Sequence, residues 1–194
     1  MIILIDNGHG RETKGKRSPD GLIKEWSVTR RLAADITAAL VVRGYDARRL
    51  VPEEEDVPLR ERVERANAVC KGEGAQNVVL VSLHVNAAGN GSHWSKARGW
   101  QVHVAPQSSF ASIKLATALA DAAAANGLTV RKFAPNVPFW TQELAICRNT
   151  LCPTVLTENL FMDNTEDAEL LRSDTGRAAI VKAHVEGLIN YIEG

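Results

Sequence analysis

Ile2-Ile3-Leu4-Ile5-Asp6-Asn7-Gly8-His9-Gly10 opens the chain and decides how the rest of it is read. Four apolar, mostly β-branched residues followed at once by Asp-Asn-Gly-His-Gly predict a buried strand that ends in a tight loop carrying His9. Two further runs repeat the pattern: Val78-Val79-Leu80-Val81-Ser82-Leu83 stops at His84, and Thr154-Val155-Leu156-Thr157 stops at Glu158. Three strands thus deliver two imidazoles and a carboxylate to their C-terminal ends. That edge is where open α/β sheets bind ligands, and these residue types point to a metal-centred site.

The segments between these runs carry helical spacing. From Trp26 onward, Val28, Leu32, Ile36, Ala39 and Leu40 share one face, with Gly44 as the C-terminal stop. Leu59, Val63, Ala66 and Cys70 form a second stripe. Ser108 or Ser109 caps a third helix running through Ile113, Ala116, Leu119 and Ala120 to Gly127, and Ala178, Val181, Val185, Leu188 and Ile192 form the face of a closing helix. Tyr45 to Val51 and Gly99 to Ala105 read as further strands, Leu144 to Cys147 as a short one, and Asn159 to Asn164 as a loop. Residues 128 to 153, with three prolines, receive no detailed assignment. Strands alternating with helices predict an α/β single domain: a mostly parallel twisted sheet of about six strands with helices on both faces.

Composition excludes some partners. Lys+Arg 23 against Asp+Glu 23 gives a formal charge of +0, which removes the electrostatic attraction that dominates binding to nucleic acid or an anionic membrane. No apolar run approaches the ~18 residues of a membrane-spanning helix, and the chain shows no secretory signal. Cys70, Cys147 and Cys152 are odd in number, lie among apolar residues and lack CxxC spacing, so reduced, buried thiols are expected.

A catalytic metal site of this kind takes three N or O ligands and leaves a position open, and His9, Glu25 and His84 supply such a set. The residual charge on a divalent ion so bound lowers the pKa of water and polarises a carbonyl. Glu158 then reads as the general base that takes the water proton and passes it to a leaving amine, which makes the chemistry metal-assisted amide hydrolysis. Glu25 stands at the start of a predicted helix, where capping alone also explains a carboxylate. The ligands are scattered and lack a helical HExxH. His103 and His184 read as structural, and His93 as a solvated loop residue.

Ile5-Asp6-Asn7-Gly8-His9-Gly10, Glu25 before a long helix, Ser82-Leu83-His84-Val85-Asn86-Ala87 and the run from Pro153 to Asn164 resemble the successive motifs of zinc-dependent N-acetylmuramoyl-L-alanine amidases. The match holds in order and spacing over nearly the whole chain. The resemblance implies one zinc ion per chain on His9, Glu25 and His84, Glu158 as the catalytic carboxylate, and peptidoglycan as the partner. The bond cut would join the lactyl group of muramic acid to L-alanine. It further implies that residues 1–194 are a catalytic domain without a separate wall-binding domain. Such a domain acts on the cell wall, in the periplasm or outside the cell, as a mature form or a holin-released lysin. Asn7 stands where the family usually has proline, and Asn159-Leu160 replaces a more usual apolar residue and glycine. The connections are too short for the inserted helix that plugs the site in some relatives. Arg11, Lys14, Lys16 and Arg17 of the loop after His9 are expected to meet the carboxylates of the stem peptide, with Asn86 and Trp94 as further substrate contacts, although a solvated loop explains the cations as well. A monomer is expected. The competing readings are a zinc peptidase acting within the stem peptide and a non-catalytic peptidoglycan-binding module; retention of Glu158 beside all three candidate ligands speaks against the latter.

Overall fold

The computed structural model describes residues 1–194, in which six strands form one sheet. They are β1 (Ile2–Asn7), β2 (Asp46–Arg49), β3 (Val78–Asn86), β4 (Gln101–Val104), β5 (Trp140–Thr141) and β6 (Thr154–Phe161), in the order β2-β1-β3-β6-β4-β5. Every neighbouring pair is parallel except β4 with β6. All six residues of β1 are buried, and so are all eight of β6 except Glu158. Burial on both sides is what a near-continuous apolar run demands, and it requires helices on both faces.

Alternate strand residues divide the core. Ile3, Ile5, Val79, Val81, Leu83 and Val155 pack with residues of α1 (Glu25–Val42), α3 (Phe110–Ala125), α5 (Thr165–Arg172) and α6 (Asp174–Glu193) in a cluster of 30 buried residues. Ile2, Leu4, Val78, Leu80 and Leu156 face α2 (Leu59–Glu73) and α4 (Ala145–Asn149) in a cluster of only 12. The second face is therefore thinly covered, and it is the one with room for a cleft.

The sequence reading holds for the sheet, with local corrections. Leu144 to Cys147 is not a strand: Leu144 is extended, but Ala145–Asn149 turn as the short helix α4, and the edge strand is Trp140–Thr141. A four-residue apolar run cannot distinguish the two by periodicity. The expected loop after Glu158 is partly strand, because β6 continues to Phe161 by placing Leu160 at φ 71°. Asn164 then caps α5, accepting hydrogen bonds from the backbone N–H groups of Glu166 and Asp167.

Register places the chemistry. Asp6 pairs with Ser82, and His84 lies level with Glu158 on the adjacent strand. Because β4 runs antiparallel, its first residue, Gln101, sits opposite Glu158. On the thick face, α3 and α6 approach so closely at Gly187 that an added Cβ would come 2.8 Å from the Leu119 Cα. Propensity alone would favour alanine in a helix by ~1 kcal/mol. A backbone atom cannot move aside as a side chain can, so Gly187→Ala should instead destabilise the fold by ~1–3 kcal/mol in denaturant unfolding.

Candidate metal centre

His9 is delivered by a strained loop. The Gly8 N–H extends the β1–β3 ladder by donating to the Leu83 carbonyl at 2.8 Å, after which His9 adopts φ 62°. That left-handed conformation costs a non-glycine residue ~1–3 kcal/mol and persists only where its surroundings hold it. Three successive carbonyls are held here. Asn7 accepts from Arg62, Gly8 accepts from the Thr29 hydroxyl at 3.1 Å, and His9 accepts from Arg30 Nη1 at 2.8 Å and Arg62 Nη2 at 3.2 Å. Arg62 also pairs with Asp6 at 2.8 Å, and Asp6 accepts from the Ser82 hydroxyl at 2.6 Å, two residues before His84. The loop presenting His9 and the strand presenting His84 are thereby tied together. Sequence reasoning did not single out these arginines, although Arg62 lies on the apolar stripe of Leu59, Val63 and Ala66 and is 4% exposed. A charge on a buried face was the available signal.

Glu25 is the first residue of α1 and is 1% exposed, yet it does not cap its own helix. One carboxylate oxygen, Oε1, accepts from the Val85 N–H at 3.0 Å and lies 3.1 Å from His84 Nδ1; the other, Oε2, is 3.4 Å from His9 Nε2 and has no hydrogen-bond partner. Ligand atoms of His9, Glu25 and His84 all fall within 4.8 Å of one another. A buried carboxylate with one imidazole at each oxygen, one of those oxygens unpartnered, is what a divalent ion satisfies, so the donor set fits a metal. Burial pushes the His9 pKa down to about 4, leaving the neutral ring a metal requires. Burial alone would raise Glu25, but the hydrogen bond and charge of His84, with His9, outweigh it and hold the group ionised. His84 is correspondingly raised, its bond to Glu25 overcoming burial.

Glu158 projects beside this cluster with Oε2 buried and unpartnered. Burial pushes its pKa up to about 7, against the opposing pull of His84 and with Glu25 reinforcing the rise. A carboxyl poised there moves protons in either direction near neutrality.

The other expected contacts separate. Lys14, Lys16 and Asn86 line a cavity of about 300 Å³ together with Glu25, His84 and Glu158. Asn86 is held in place by donating to Gln101 Oε1 at 2.7 Å. Arg11 pairs with Glu54 and lies over the Trp26 ring at 5.7 Å, and with Arg17 it borders an adjoining hollow. Trp94 is 43% exposed and lines neither cavity at the site. Asn159 has a structural use: it accepts from Trp100 Nε1 at 2.9 Å and donates to the His84 carbonyl at 3.0 Å. His184 is bonded to Thr157 and to the Ile180 carbonyl, as expected of a structural histidine. His103 is buried with neither ring nitrogen partnered. All three cysteines are free; Cys70 and Cys152 are buried, and Cys147 is half-buried.

Fold and site together define an α/β domain with a His/Glu/His metal-type centre and a raised carboxylate at the C-terminal edge of parallel strands. Its family follows from sequence: residues 3–190 match the N-acetylmuramoyl-L-alanine amidases, and the chain belongs to that family. It is similar to an endolysin of Bacillus phage SPP1, at 28% identity over 98% of this chain, and to the amidase CwlM of Bacillus licheniformis, at 30% over 96%. The chain spans 66% of the length of each of these curated relatives. In fold it resembles the amidase from Clostridium difficile 630, with a TM-score of 0.84 at 20% identity, covering 100% of this chain and 97% of that one.

Two measurements probe this geometry without requiring turnover. A Cβ at Gly8 would come 2.3 Å from His84 Cε1. Gly8→Ala should therefore displace the ring and weaken divalent-metal affinity ~10–100-fold in calorimetric titration, since altered support of a ligand typically costs that much. A carboxyl whose pKa is raised by folding adds stability below its unfolded pKa and loses it as pH rises through the folded value, here about 7. Metal-free Glu158→Gln should thus melt a few degrees above the parent at pH 8, with the gap closing toward pH 4.

Proposed function

We propose that the chain hydrolyses the amide bond between N-acetylmuramic acid and L-alanine in peptidoglycan, with one zinc ion held by His9, Glu25 and His84 and with Glu158 transferring the proton. The observation that carries this reading is the buried Glu25 carboxylate that meets His9 and His84 and keeps one oxygen unpartnered, beside a second buried carboxylate whose pKa is pushed up to about 7. Two nitrogen donors and one oxygen donor suit zinc and leave a coordination position free. When bound, zinc polarises the substrate carbonyl and lowers the pKa of a water molecule. Glu158, ionised, takes the proton as water oxygen adds to the carbonyl carbon, and returns it to the nitrogen as the C–N bond breaks. The products are a lactyl carboxylic acid and a stem peptide with a free L-alanine amine. Lys14, Lys16 and Asn86 form the nearest candidate substrate contacts, with Arg11, Arg17 and Trp94 farther out.

Residues 1–194 act in this reading as the catalytic domain, working on the wall outside the cytoplasmic membrane. No helix is long and apolar enough to cross a membrane.

Mass spectrometry of digested sacculi separates this reading from its rivals: an amidase releases intact stem peptides beginning with L-alanine, a stem peptidase releases shorter fragments, and a binding module releases nothing. Glu158→Gln should retain zinc and lose ~10²–10⁴-fold in kcat, whereas His9→Ala and His84→Ala should lose the metal by elemental analysis. Because Glu158 must be ionised to accept the proton, the parent rate should rise with pH through the pKa of this group. Bound positive charge favours the ionised form and draws that limb below about 7.

A further inference from the structure

His84 is a wall shared by two cavities of opposite character. On one side lies the polar space of about 300 Å³ that contains Lys14, Lys16, Asn86 and Glu158. On the other, the thinly covered sheet face opens into a cleft of about 520 Å³, where the exposed lining is mainly apolar, from Val57, Pro58, Leu144, Ile146 and Leu156, and where the Arg62–Asp6 pair and Asp56 sit beside His9 and His84. Glu158 borders the first and not the second.

That asymmetry orients the substrate. In amide hydrolysis the group that returns the proton must stand beside the departing nitrogen, so the amine half of the substrate lies on the Glu158 side and the acyl half lies across His84 from it. The charges agree. A stem peptide carries carboxylates, which the Lys14 and Lys16 ammonium groups complement. The acyl half, a muramoyl unit, has no ionised group while the amide is intact and offers two methyl groups, one lactyl and one acetamido. A cleft of this size, with leucine, isoleucine, valine and proline exposed in it and with its charges at Asp6 and Asp56 paired to Arg62, has the character of a small-ligand pocket.

We propose that the apolar cleft between α4 and the residue 57–59 segment is the muramoyl subsite, and that the Lys14/Lys16 cavity receives the departing stem peptide. The glycan strand then runs along the α2/α4 face, and Leu144 and Lys16 set specificity for opposite halves of the substrate. This assignment rests on the amidase reading and goes beyond it by fixing direction.

Three synthetic substrates test it on the zinc-loaded protein: N-acetylmuramoyl-L-alanyl-D-glutamate, its diamide, and D-lactoyl-L-alanyl-D-glutamate, which lacks the sugar. Leu144 is half-buried, so Leu144→Trp fills the cleft with little demand on the core. It should raise KM for the muramoyl substrate at least ~10-fold more than for the lactoyl compound, the scale of a mismatched apolar pocket. Leu144→Ser, which opens the cleft, should reduce the preference for the sugar in the same direction. Lys14→Ala/Lys16→Ala should raise KM for the free acid roughly 2- to 5-fold and leave the diamide behind, as loss of exposed charge pairs does. A crossed pattern, with Leu144→Trp discriminating acid from diamide and the lysine changes discriminating sugar from no sugar, reverses the orientation and overturns the proposal. Equal effects of each variant on all three substrates also overturn it. A parent protein that cleaves none of them removes the amidase reading itself, and the orientation with it.

Discussion

The Arg62–Asp6 pair, both partners nearly excluded from water, is the interaction on which the site depends. A guanidinium moved out of water is tolerated only when its donors are satisfied, and Arg62 spends them on Asp6, Asp56 and the carbonyls of Asn7, His9 and Val57. Arg30 converges on the same His9 carbonyl and on those of Glu53 and Glu55. Two like charges meeting at one peptide group repel, and burial together with Arg62 lowers the pKa of Arg30 accordingly. The arrangement persists because Asp6 and Asp56 offset the charge and the carbonyls bind the donors. Its result is a left-handed His9 whose ring is fixed against His84, the two centroids 5.1 Å apart and the planes nearly perpendicular at 86°.

Unequal cover of the sheet turns this loop into an accessible centre. Four helices and most of the apolar core lie against one face, so the strands are rigidly seated from behind. The other face carries only α2 and the five-residue α4, which leave His9 and His84 open along that side. A thicker second layer would have buried the imidazoles. Rigid support on one side and thin cover on the other serve the same end.

The two central carboxylates show how environment assigns roles. Both are desolvated, which by itself raises a carboxyl pKa. Glu25 meets His84, His9 and the Val85 N–H and is pulled down into the ionised state; Glu158 has no hydrogen bond to Oε2 and stays high, near 7. One is thereby suited to hold a cation and the other to carry a proton, a division that opposite pKa shifts in a shared site generally mark.

The sequence by itself determined the sheet, because buried strands of Val, Ile and Leu that stop abruptly at polar residues have no other stable use, and those stops named His9, His84 and Glu158. Helical spacing also located α1 and α3 within a residue or two and found the bodies of α2 and α6, but it missed the start of α6 at Asp174 and the whole of the short helix α5. The nature of α4 and the end of β6 were decided only by tertiary structure, since a short apolar run fits either period and Leu160 reaches φ 71° only where the fold compels it. The role of Glu25 was likewise undetermined: at a helix start, a capping carboxylate and a candidate ligand look alike until β3 brings His84 to 3.1 Å. Arg30 and Arg62 remained silent for the same reason. Their partners in β1 and the His9 loop lie 21 to 56 residues away in the chain, and only the packed fold turns two helical arginines into the clamp on His9.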